Sequence, residues 1–181
     1  MAQTDRLLPP LGPAARCAAV SAGLCALWAG SAWTAGQVHV RPALHTVALF
    51  VHLVSLVAGF GAVLAIDYLG ALWLLGRRTL RQVVEATAPL HVPVWAGLAG
   101  LTASGILLEP RLESGLTQVK LVLVLLIALN GVQAGTLHRR LQEQGGARPP
   151  RRLLVRGACS ALVSQIGWWG ALGIGFWNTR H

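Results

Sequence analysis

The sequence predicts an all-α integral membrane protein, with five transmembrane helices arranged as a four-helix bundle plus an N-terminal helix. Three observations predict it. Of 181 residues, 54% are apolar and 12% charged, whereas a soluble domain carries about 25% charge. Five stretches reach the roughly 20 charge-poor residues that a helix needs to cross a hydrocarbon core of about 30 Å. None of them alternates with period two, and all are too long for barrel strands. A net charge of +9 would suit a nucleic-acid binder only if its basic residues lined a polar surface. Here they separate apolar runs, which excludes a soluble nucleic-acid-binding protein.

The chain reads as one transmembrane domain, residues 1–181. Its first span, about residues 14–36, is free of charge from Cys17 to Val40. Basic residues, an apolar run and the small-residue stretch Ala29 to Ala35 also describe a signal peptide, although the length favours an uncleaved helix. The second span, about 43–75, is interrupted only by His45, His52 and Asp67. The third, about 87–108, opens with Pro89 and Pro93 on either side of His91, which loosens its first turn and frees carbonyls there. The fourth, about 116–138, contains Lys120, and the fifth covers about 154–178. Trp28, Trp33, Trp73 and Trp177 fall near span ends, as interfacial belts require, whereas Trp95, Trp168 and Trp169 sit deeper as packing residues.

Orientation follows the basic residues. A cytoplasmic N-terminus puts eleven arginines inside (6, 16, 77, 78, 81, 139, 140, 148, 151, 152 and 156) and only Arg41, Arg111 and Arg180 outside. The C-terminus is then external, and the expected location is the cell's inner membrane. The loop from Arg139 to Arg152, with its Gly-Gly and Pro-Pro pairs, reads as a solvated cytoplasmic hairpin. Its arginines could hold anionic lipid headgroups, but orientation alone accounts for them.

Cysteine and methionine narrow the chemistry. Cys17, Cys25 and Cys159 form no Cys-x-x-Cys motif, and no motif for covalent haem attachment is present. Cys17 and Cys25 are about 12 Å apart along one helix, too far for a disulfide. Methionine occurs only as Met1, so a copper(I) path built on thioethers is absent. A metal or haem site must rest on histidine, with carboxylate or lysine in support.

Ionisable groups inside a span are costly and are therefore functional candidates. At about 100° per residue, His45 and His52 share a face of the second span that Ser55, Gly59, Ala62, Ile66 and Gly70 continue, with Asp67 at its margin. Such a stripe admits either a flat cofactor or another helix backbone. His91, Trp95, Thr102, Gly105 and Glu109 share a face of the third span. Lys120, Gly131 and His138 share one of the fourth, with Asn130 and Gln133 off it. The fifth offers Ser160, Ser164 and Trp168 at helical spacing, plus Gln165. Depth sorts the ionisable groups into an outer set (His45, His52, Glu109, Lys120) and a cytoplasmic set (Asp67, His91, His138). A histidine-held haem iron is one physical reason for this layout, and a proton or ion relay is another. Hydration accounts for His45 and His138 near the interfaces, and Lys120 could snorkel outward.

The run Ala43-Leu-His45-Thr-Val-Ala-Leu-Phe-Val-His52 resembles the first conserved helix of bacterial HemJ-type protoporphyrinogen oxidases and of copper resistance D-like proteins. The run from Gln118 through Lys120 to Asn130 resembles their Lys-Leu-x-Leu-Val helix. The resemblance covers the second to fourth spans. It implies a small helical membrane architecture, with Lys120 matching the family lysine and His45 or His52 matching the histidine proposed to serve haem. The HemJ Phe-Tyr-Leu-Pro-Arg element is replaced here by residues 65–73, and its later Tyr-His pair by Leu129-Asn130. What the resemblance implies is therefore haem binding, not a specific reaction.

The leading expectation is a haem-b-binding, cytochrome-b-like membrane protein that transfers electrons or oxidises a substrate at the membrane. His52 and His91 are its principal iron ligands, through which bis-histidine pairing with His45 and His138 would give one site per leaflet. Lys120 would meet haem propionates or a substrate carboxylate, Asp67 would orient His91, and Glu109 and Asn130 would support the site or relay protons. Expected partners are the lipid bilayer and a redox partner or second copy of the chain, with no nucleic acid. Two alternatives use the same residues: a small transporter or ion-handling protein, and a cofactor-free accessory subunit.

Overall fold

A computed structural model describes residues 12–144 and 149–178, which places Arg6, Arg148 and Arg180 outside the described residues. The described chain is helical and contains no strand. Helix α1 spans Pro13–Ala35 and α2 spans Pro42–Leu74, each with proline in its first turn, where a missing N–H costs nothing. At 33 residues α2 is about 50 Å long, so it tilts within a bilayer or projects from it. It ends where Gly76 adopts a left-handed φ of 70°. The Gly76 N–H then bonds the Trp73 carbonyl at 2.9 Å and the Arg77 N–H bonds the Leu72 carbonyl at 2.8 Å. These two bonds are a Schellman cap.

The third span starts earlier than its apolar run suggests. Helix α3, Leu80–Thr87, is launched by a capping box: the Gln82 N–H donates to Thr79 Oγ1 and the Thr79 N–H to Gln82 Oε1. An i,i+4 contact of 3.6 Å between exposed Arg81 and Glu85 adds little. A 3₁₀ turn at Ala88–Leu90 accommodates Pro89, and α4 continues over His91–Leu107. Helix α5 covers Gly115–Glu143 and α6 covers Arg151–Asn178. Among the described residues, four segments are long and apolar enough to cross a membrane: α1, α2, α3 with α4, and α5. Helix α6 matches them in length, but its glycines, serines, tryptophans and Gln165 leave it outside that set.

The helices pack as two close pairs, α2 with α4 and α5 with α6. The first pair closes on glycine. A Cβ on Gly97 would stand 2.5 Å from the Gly59 Cα and 2.6 Å from the Ser55 carbonyl oxygen, so the two backbones touch. The middle of the small-residue stripe on α2 is thus filled by α4 and leaves no slot for a flat cofactor there. In the second pair, Leu123 and Ile127 lie where side chains on Gly170 and Gly167 would otherwise stand. Phe60, Val63, Leu98, Ile127, Ala128 and Trp168 form the shared core, with Phe60 stacked on Trp168 at 5.5 Å and edge-on to Trp169 at 5.0 Å. Helix α1 packs mainly on α4 and α5, and Trp28 Nε1 donates to the Leu121 carbonyl at 2.9 Å. Trp28, expected at an interface, is an anchor between helices.

Candidate functional site

The polar residues inside the bundle fall into four groups. Towards the end of α4, His52 Nδ1 lies 2.9 Å from Ser104 Oγ, and that hydroxyl lies 2.5 Å from the Gly100 carbonyl oxygen. A hydroxyl has one proton, and the carbonyl can only accept. Assigning the Ser104 proton to the nearer Gly100 carbonyl makes the hydroxyl an acceptor from His52, which is the tautomer with its proton on Nδ1. Gly105 presents no side chain to the same ring; a Cβ there would lie 3.7 Å from His52 Cε1.

Lys120 completes this end of the bundle. It rises from the second turn of α5, half-buried, with Nζ 3.6 Å from where a Cβ on Gly175 of α6 would stand. It is close enough to His52 for the two to interact electrostatically. Among the described residues the only ion pair is Arg81–Glu85, so Lys120 has no carboxylate partner there.

The opposite end brings His91 and His138 together, ring centroids 4.9 Å apart and nearly perpendicular at 74°. The Nε2 of His138 is buried without a hydrogen-bond partner. An iron with imidazoles on both faces, each nitrogen about 2 Å away, would hold the ring centroids about 6 Å apart. The pair is too close to sandwich a haem iron.

Asp67 does not join this pair. Gln165 Nε2 of α6 donates to its carboxylate, and Trp169 Nε1 donates to Gln165 Oε1 at 2.9 Å. Asn130 is likewise engaged by α6: its Nδ2 donates to the Ser160 carbonyl, and Ser160 Oγ donates to Asn130 Oδ1, both at 2.9 Å. Glu109 lies beyond the end of α4, exposed, with φ of 48°, and its Oε1 accepts from the Val40 N–H at 2.6 Å. It ties two connections together outside the bundle. His45 is exposed on α2.

No protein family, curated protein or solved structure matches the chain. Its chemistry rests on its own residues.

The donor set at His52 fits haem b: an imidazole whose Nδ1 has a hydroxyl partner, a glycine beside the ring and an ammonium without a carboxylate partner among the described residues. The set at His91 and His138 does not. No group of three or more His, Cys, Asp or Glu side chains converges among the described residues. Sequence reasoning missed Ser104, whose type is ordinary in a membrane helix. The Asp67–Gln165 contact did carry a signal, since the two residues lie ten and nine positions from Arg77 and Arg156, the arginines nearest to each in sequence.

Proposed function

We propose that the protein is a five-span membrane protein that binds haem b through His52 and serves electron transfer or oxidation at the membrane. The supporting observation is the chain of contacts from His52 Nδ1 to Ser104 Oγ and on to the Gly100 carbonyl, read with the imidazole proton on Nδ1. A ligating histidine needs this order, because an acceptor on one ring nitrogen fixes the tautomer and raises the basicity of the other. In this reading α6 is the fifth span, the arginine-rich connections are cytoplasmic, and the His52 end lies in the outer leaflet.

Bound haem b supplies a one-electron couple. Ser104 holds the imidazole in register, Gly105 leaves room beside it, and Lys120 offsets a propionate charge that would otherwise stand in low dielectric. A transmembrane proton relay is less well served. His52 and Asp67 lie on opposite sides of Phe60 along α2, and the Phe60–Trp168 stack fills the core between them.

The test is the visible spectrum of detergent-purified protein, expressed with haem supplied, before and after dithionite. A Soret band is expected in the wild type. It should be lost in His52→Ala, retained less tightly in Lys120→Ala, and unchanged in His91→Ala and His138→Ala. A colourless wild type overturns the haem reading, and a full band in His52→Ala overturns the ligand.

A further inference from the structure

Far from His52, where α5 ends and α6 begins, Arg140 and Glu143 of α5 and Arg151, Arg152 and Arg156 of α6 line a cavity of about 910 Å³. Four arginines and one glutamate thus line it, and among the described residues none of these arginines lies within ion-pair distance of Glu143. Arg156 has a weak partner in Gln133 Oε1 at 3.4 Å. No acid occupies the first turn of α6, where Arg151 and Arg152 add positive charge to an end already positive from the backbone dipoles. Nothing within the described chain offsets this concentration of charge.

Orientation of the chain in a membrane requires arginines on one side; it does not require them to converge on one cavity. We propose that this cavity binds the phosphodiester headgroup of an anionic phospholipid. Guanidinium groups match phosphate oxygens in paired hydrogen bonds. The neighbouring surface favours a lipid over a free phosphate. Leu154 and Val155 are exposed on the same turn of α6, 38% and 53% respectively, directly beside the arginines. A charged cavity bordering an exposed apolar surface matches a headgroup joined to its acyl chains. The inference rests on the chain's being a membrane protein and is independent of haem.

The experiment titrates the full-length protein in detergent with dioctanoyl phosphatidylglycerol, dioctanoyl phosphatidylcholine and inorganic phosphate, read by native mass spectrometry. Phosphatidylglycerol should bind at least about tenfold more tightly than phosphatidylcholine, and phosphate should not displace it at equal concentration. Each arginine near a membrane surface contributes about a fivefold factor, so Arg151→Gln with Arg152→Gln should weaken phosphatidylglycerol about 25-fold. The single change Arg140→Gln, on the other helix, should weaken it about fivefold and decides the matter if the double variant does not fold. Arg77→Gln with Arg78→Gln, in a different connection, should leave binding unchanged. Equal binding of the two lipids, displacement by phosphate, or an equal loss in the Arg77/Arg78 variant would each overturn the proposal.

Discussion

Gly97→Ala tests the packing that carries His52. The new Cβ would stand 2.5 Å from the Gly59 Cα, 2.6 Å from its nitrogen and 2.6 Å from the Ser55 carbonyl oxygen. All three are backbone atoms, so no rotamer can relieve the contact. Ordinary carbon contacts of about 3.5–4.0 Å require α2 and α4 to part by about 1 Å. Overpacking of this kind costs about 1–3 kcal/mol, and the helix preference of alanine over glycine returns about 1 kcal/mol. The net loss should be up to about 2 kcal/mol, or about 1–3 kcal/mol relative to an alanine that meets nothing. Ser104 lies seven residues further along α4, so the same displacement lengthens its 2.9 Å bond to His52. Thermal unfolding in detergent, followed by circular dichroism, measures the first effect. Gly61→Ala is the control: nothing lies within 4 Å of its Cβ position, and it should be neutral or stabilising. If Gly97→Ala unfolds at the same temperature as Gly61→Ala, the glycine crossing is not the close contact described here.

Three further outcomes follow from other contacts. Asn130→Ala removes both hydrogen bonds to Ser160 and should cost about 0.6–1.7 kcal/mol, the range for polar contacts between membrane helices, measured by unfolding in detergent. Trp28→Phe keeps the ring but loses the bond to Leu121; faster amide exchange confined to α1 is expected, and uniform exchange across all helices would contradict its anchoring role. Gly76→Ala forces a side chain onto a φ of 70° and should cost about 1 kcal/mol, again read by unfolding, whereas Gly135→Ala, with nothing within 4 Å of its Cβ position, should cost nothing.

Helix starts were legible where the chain carries chemical punctuation. Pro13 and Pro42 open α1 and α2, within a residue of where the apolar pattern places them. The pattern alone failed at α3, because Arg81, Gln82 and Glu85 are polar; the Thr79–Gln82 capping box marked the true start. Helix α5 continues to Glu143, past His138, because a helix can leave the apolar layer without ending. In the site, counting along helices brought His91 and His138 to one level, but it could not choose partners. Asp67 faces Gln165 because of how α2 and α6 are rotated, and Glu109 reaches Val40 because α4 stops at Leu107. Rotation and end points depend on the whole packing, which no single span encodes.

The docking of α1 on α4 and α5 also has a consequence for biogenesis. Helix α1 leaves the ribosome before α5, yet its acceptor, the Leu121 carbonyl, belongs to α5. The end of α5 follows the end of α1 by 108 residues (143 minus 35). At about 5–20 residues per second, that is a delay of about 5–20 s. Until α5 is complete, α1 has only α4 of its two main packing neighbours. A nascent chain halted before α5 would leave the α5-facing side of α1 uncovered, with the Trp28 indole unpaired and open to capture by other membrane helices.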